Sequence, residues 1–209
     1  MRNLLRTSLT TAVVAGLMVF AAAAVKADPV QFSTTASFNG GAFSSPNAIV
    51  FGGGGNQLSL TFTGVTNSMV DTGPGGFTFA SFGQIQTATT GTGATITAGT
   101  TFSLRVTQTI PSGGTDNFSG TISGTISQNN STGQITFTVT HIDINGVQYD
   151  IANNPLALVP PSTNNGITTI QGSITTTAVP EPASMLLLGT GLAGVAAAVR
   201  RKLTARNQN

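Results

Sequence analysis

"THIDINGVQYDI", residues 140–151, is the stretch on which the fold class turns. Asn145-Gly146 lies between two runs that alternate apolar and polar residues, and an Asn-Gly pair readily takes the two positive φ values of a type I′ turn. The stretch therefore reads as a β-hairpin. A two-residue loop also sets its register: Ile144 faces Val147, Ile142 faces Tyr149, and His141 faces Asp150. The opposite face carries His141, Asp143, Gln148 and Asp150. The apolar parity slips between Val139 and Ile142, which predicts a bulge near Thr140.

The same period of two extends outward along the chain. Val30, Phe32 and Phe38 share one parity, Leu58, Leu60 and Phe62 form a second run, and Phe102, Leu104 and Val106 a third. Between the runs stand "FGGGGN" at 51–56, "TGPGG" at 72–76, "PSGGTDN" at 111–117 and "NNSTG" at 129–133, all turn chemistry. No stretch of 28–178 sustains a helical period. Eight or nine short strands at this spacing predict an all-β domain, an antiparallel β-sandwich or jelly roll. Just before the hairpin, "SGTISGTIS" at 119–127 leads toward Ile135, Phe137 and Val139. If Ser127 pairs with Gln134, Gly124 lies opposite Phe137, whose ring covers the bare glycine backbone.

The formal net charge of +2 over 209 residues conceals an uneven distribution. Arg2, Arg6 and Lys26 stand at one end and Arg200, Arg201, Lys202 and Arg206 at the other. Between them, Arg105 is the one cation against Asp28, Asp71, Asp116, Asp143 and Asp150. A weakly acidic body offers nothing to a phosphate backbone, so nucleic acid is excluded as a partner. Cysteine is absent, which excludes a disulfide scaffold, a thiol nucleophile and a thiolate metal site.

The two ends read as addresses. Residues 1–27 combine a basic start at Arg2 and Arg6, an apolar run over 9–24 and the small-residue site Val25-Lys26-Ala27, which is the order of a secretory signal peptide. A signal peptidase would cut between Ala27 and Asp28, leaving 28–178 as an extracellular β-sandwich domain. Residues 179–209 open with Val179-Pro180-Glu181-Pro182, continue through the uncharged stretch 183–199, and reach Arg200, Arg201 and Lys202. Seventeen uncharged residues stand at the short limit for a membrane crossing, and the cations that follow serve as a cytoplasmic stop. A signal helix is thus expected at the N-terminus and a transmembrane helix at the C-terminus.

This ordered triple of Pro-Glu-Pro, apolar stretch and basic plug resembles the PEP-CTERM sorting signal of exported bacterial proteins. The resemblance implies recognition of Pro180, Glu181 and Pro182 by an exosortase, a membrane-embedded transpeptidase-like protease, which removes the tail and passes the protein outward. The membrane is then a partner only before processing, through the C-terminal helix. It covers about the last 30 residues and implies nothing about the chemistry of 28–178.

Within that body, His141, Asp143 and Asp150 are the one concentration of ionisable groups. One imidazole and two carboxylates on a sheet face are the donor types for a divalent cation or an acid–base pair. They equally make an ordinary solvated face, with no glutamate or second histidine to extend a ligand set. Asp71-Thr72-Gly73 matches the triplet of aspartic proteases but has no second copy to share a proton with. The glycines at 52–55 lack the Lys-Ser/Thr of a phosphate loop. Asn117-Phe-Ser and Asn130-Ser-Thr fit the glycan-acceptor pattern but read as turns. Tryptophan is absent, Tyr149 is the one tyrosine, and most of the twelve phenylalanines fall on core parity. The expectation is an exported cell-surface or extracellular-matrix protein without enzymatic activity or cofactor, sorted by an exosortase-like system and associated with exopolysaccharide. The alternative is a surface module binding carbohydrate or a divalent cation through His141, Asp143 and Asp150.

Overall fold

A computed structural model describes residues 29–73, 75–176, 188–192 and 194–195. The β strands all belong to the unit Lys26–Thr177. One six-stranded sheet runs from edge to edge as β13 (Leu156–Ala157), β10 (Gln134–Val139), β8 (Gly114–Ser123), β7 (Thr101–Ile110), β1 (Pro29–Phe38) and β4 (Ser68–Asp71). The second runs as β11 (His141–Ile144), β12 (Val147–Ile151), β14 (Ile167–Thr176), β5 (Phe77–Thr90), β3 (Asn56–Thr63) and β2 (Asn47–Gly53). A small ribbon pairs β6 (Ala94–Thr95) with β9 (Thr125–Ile126). Every pairing within these sheets is antiparallel.

Alternation places the core. Val30, Phe32, Ala36 and Phe38 of β1, Leu58, Leu60 and Phe62 of β3, and Phe102, Leu104 and Val106 of β7 are all buried. Their neighbours on the opposite parity are threonine, serine, glutamine and Arg105, polar side chains that face away from this core. Rings from the two sheets meet in the middle: Phe32 lies 5.8 Å from Phe82 and 5.8 Å from Tyr149, and Phe118 stacks on Phe82 at 5.8 Å. Among the described residues, every buried apolar side chain falls between Val30 and Ile174 and joins one core cluster.

The sheets curl rather than lie flat. Gly83 has φ +118°, and Phe82 and Ile85 on either side of it both point inward, so β5 gains a residue at that point. The facing strand answers with a register shift between Thr169 and Gln171, and β1 shifts between Gln31 and Phe32. These bulges bend the two sheets around the core into a half-barrel.

Several expectations need correction. The all-β, antiparallel, two-sheet reading holds, but the finer picture of a sandwich or jelly roll gives way to curled half-barrel sheets. The N-terminal signal helix and the C-terminal transmembrane helix are not found: no helix among the described residues is long and apolar enough to cross a membrane. Among the described residues, helix occurs at 188–192 and 194–195, besides a 3-10 turn at Asn164–Gly166. Gly189, Gly191 and Gly194, which lie in these pieces, are weak helix formers. Residues 1–28 lie outside the described set.

The register before the hairpin also differs. Gln134 pairs with Ser123, not Ser127, so Phe137 faces Gly120. Gly124, at φ +103°, ends the strand instead, and Thr125–Ile126 leaves to join β6. The parity slip near Thr140 is real but has two parts: a bulge between Phe137 and Val139, then a crossing from one sheet to the other at Thr140.

At Gly172 a β-carbon would collide with the Phe82 ring and the Asp150 carbonyl oxygen. Gly172→Ala is expected to lower the unfolding free energy by about 1–3 kcal/mol through overpacking. Gly53→Ala, with open space around the position, is expected to change it by no more than about 1 kcal/mol. Urea denaturation of both variants measures the contrast.

Candidate functional site

The hairpin forms as its sequence dictates. Asn145 and Gly146 take φ of 53° and 84°, and His141 pairs with Asp150, Ile142 with Tyr149, Asp143 with Gln148, and Ile144 with Val147. His141 Nδ1 lies 2.7 Å from Asp150 Oδ1, with both side chains substantially exposed, at 51 % and 42 %. Asp143 is used differently: its Oδ1 accepts the Gly146 N–H at 3.0 Å and closes the turn. The three residues share a face without converging on a point. Among the described residues, no group of three or more His, Asp or Glu side chains is arranged to hold a metal ion.

The inner face of this hairpin holds a feature that sequence reasoning missed. Tyr149 is fully buried, and its hydroxyl donates to Gln108 Oε1 at 2.7 Å. Gln108 Nε2 then donates to the Ser112 carbonyl at 2.8 Å and the Ile144 carbonyl at 3.3 Å. This chain ties β7 of one sheet to the hairpin of the other. Burial pushes the Tyr149 phenol above its ordinary range, because the phenolate would lose its hydration. No signal in the sequence links positions 41 residues apart, although a lone tyrosine on core parity marks one end.

The remaining candidates are structural. Asp71 Oδ1 accepts the Gly73 N–H at 3.0 Å, which closes a local turn. The glycines at 52–55 form the end of β2 and its turn into β3. Asn117 Oδ1 accepts from Arg105 Nε at 3.1 Å, and the Arg105 guanidinium lies 3.7 Å from the centroid of the Phe43 ring. Asn130 contributes its carbonyl to the Ser127 N–H at 2.8 Å. A shallow groove of about 400 Å³ along β2 is lined by Ile49, Val50, Phe51 and residues 97–100, none of them ionisable.

Two phenylalanines break the expected pattern. Phe77 and Phe79 of β5 are 49 % and 71 % exposed, and their rings meet edge to face at 5.0 Å. They precede the Gly83 bulge and therefore follow outward parity, opposite to that of Phe82.

The sorting residues Val179, Pro180, Glu181 and Pro182, the stop Arg200, Arg201 and Lys202, and the cleavage pair Ala27 and Asp28 lie outside the described residues. Residues 178–202 match the family model of the PEP-CTERM protein-sorting motif. No curated protein and no solved structure matches the chain. The chain thus carries an exosortase-linked sorting motif, consistent with export to the surface.

Two measurements follow from this geometry. Tyr149→Phe strands the buried Gln108 oxygen and is expected to cost about 1–3 kcal/mol. The phenol ionises in the unfolded chain near pH 10 but higher in the folded one, so its contribution is complete below about pH 10 and is lost as pH rises above it. The alkaline fall in stability, read by urea titration from neutral pH upward, is expected to flatten in Tyr149→Phe. By contrast, a double-mutant cycle on His141→Ala and Asp150→Asn is expected to give a coupling below about 1 kcal/mol, as exposed pairs do.

Proposed function

We propose that this protein is an exported, non-catalytic surface or extracellular component whose β domain is delivered by an exosortase-type system. The observation that carries the reading is the sorting motif over 178–202, which begins two residues after the last strand ends at Thr176. In this reading a signal peptidase cuts between Ala27 and Asp28. An exosortase-like membrane protease then recognises Val179, Pro180, Glu181 and Pro182, with Arg200, Arg201 and Lys202 closing the signal.

The β domain suits life outside the cell as a structural or adhesive element. Its ladders occupy most of the backbone between Pro29 and Thr176 and its turns are short, which leaves a protease few extended segments to seize. No buried side-chain polar atom among the described residues lacks a hydrogen-bond partner. Outward positions are dominated by threonine, serine, asparagine and glutamine, a surface able to hydrogen-bond a hydrated exopolysaccharide matrix without depending on salt. The alternative of a cation-binding module has less support, because His141 and Asp150 engage each other and Asp143 is committed to the turn.

Intact mass of the protein recovered from its native cell surface or medium tests the reading. The expected species begins at Asp28 and ends within Pro180 to Pro182. Retention of 183–209 counts against exosortase processing, and retention of 1–27 against the leader.

A further inference from the structure

The outer face of the second sheet carries two rows of side chains in register across four strands. In the first, His141 of β11 pairs with Asp150 of β12, Asp150 with Ser173 of β14, and Ser173 with Phe79 of β5. In the second, Asp143 pairs with Gln148, Gln148 with Thr175, and Thr175 with Phe77. Directly paired residues point to the same side of a sheet. The acidic hairpin and the exposed phenylalanine pair therefore stand at opposite ends of one surface. Three strand steps separate them, about 14 Å, and the two rows lie about 7 Å apart.

Each part of this surface has its own chemistry. At one end the rings of Phe77 and Phe79 are 49 % and 71 % exposed and meet edge to face, which leaves ring surface for a CH-bearing group to stack on. The middle offers the exposed amide of Gln148 and the half-buried hydroxyls of Ser173 and Thr175. At the other end Asp143 and Asp150 each spend one oxygen within the hairpin, on the Gly146 N–H and the His141 ring. A carboxylate keeps further acceptor sites on its second oxygen. Among the described residues these groups do not converge as a metal ion requires. An ammonium group carried on a larger ligand needs only a nearby carboxylate, not an enclosing set.

Charge selects the occupant. Between Pro29 and Thr176 the sequence holds four aspartates against the single cation Arg105. Arg105 belongs to β7 of the other sheet, with its guanidinium against the Phe43 ring and Asn117. An anionic ligand is repelled by the two carboxylates of the hairpin face, and a cationic one is drawn to them.

We propose that this face binds a cationic, hydroxyl-rich polysaccharide, one that carries free amino sugars. Its rings stack on Phe77 and Phe79, its hydroxyls bond to Gln148, Ser173 and Thr175, and its ammonium groups approach Asp143 and Asp150. An amino sugar joins an apolar CH face, hydroxyls and a positive charge in one ring, so a short extended run of such rings meets all three parts of the surface. The proposal rests on the reading of the protein as an extracellular component and names the chemistry of its partner there.

Isothermal titration of the protein with a chitosan oligosaccharide tests it. Binding is expected at low salt and is expected to fall as salt rises. The fully N-acetylated oligosaccharide is expected to bind about 10-fold more weakly, and polygalacturonate not at all. Phe79→Ala removes an exposed ring and is expected to weaken binding about 10-fold with an unchanged melting temperature. Asp150→Asn is expected to weaken binding and flatten its salt dependence, and Thr107→Ala, exposed on the outer face of the other sheet, to leave it unchanged. Absence of chitosan binding overturns the proposal, as does binding indifferent to Phe79→Ala. Equal binding of polylysine overturns it in favour of a basic protein partner held by charge alone. These outcomes leave export and processing untouched, which the intact mass decides separately.

Discussion

The Phe82 ring against the bare backbone of Gly172 is the contact on which this domain depends. Phe82 is fully buried and touches Phe32, Phe118 and Tyr149, which come from β1, β8 and β12. It therefore joins both sheets at one point. The ring reaches that depth only because the facing strand offers a hydrogen at position 172 and because Gly83 lets β5 bulge directly after it. The Thr34 hydroxyl meets the Phe82 carbonyl at 2.8 Å and its oxygen accepts the Val65 N–H at 2.9 Å, so the bulge is fastened to the opposite sheet. Curl, aromatic packing and the polar lock are one arrangement. Each aromatic pair contributes about 0.5–1.5 kcal/mol beyond its buried area.

Local chemistry was legible in the sequence wherever a turn fixed a register. Asn145-Gly146 determined three residue pairs correctly, because a two-residue loop leaves no freedom to slide. The pairing before it was not determined, since "SGTISGTIS" repeats every four residues and offers the same glycine-over-aromatic fit at Gly120 and at Gly124. A four-residue slip preserves parity, so alternation cannot choose between them. Backbone conformation does: Gly124 is the one that adopts positive φ and leaves the strand, whereas Gly120 sits where a β-carbon would strike the Thr136 carbonyl and Phe137 Cα.

Long-range chemistry was illegible for a different reason. Tyr149 and Gln108 each look ordinary in their own strands, and their hydrogen bond exists only after two sheets have closed on each other. The same holds for Phe77 and Phe79, whose outward orientation depends on a bulge after them. At the candidate ligand face, the sequence correctly put His141, Asp143 and Asp150 on one side of the hairpin. It could not tell that Asp143 closes the turn while the other two pair, a division that follows from side-chain reach rather than from parity.

A surface almost free of charge has a physical consequence for a protein bearing a sorting signal. Electrostatic repulsion supplies little of the colloidal stability that most soluble domains draw from net charge, so the guarding of sheet edges matters more than usual. The Asn154 side chain and the two-residue β13 along β10, and the ionisable face of β11, keep two flanks from pairing.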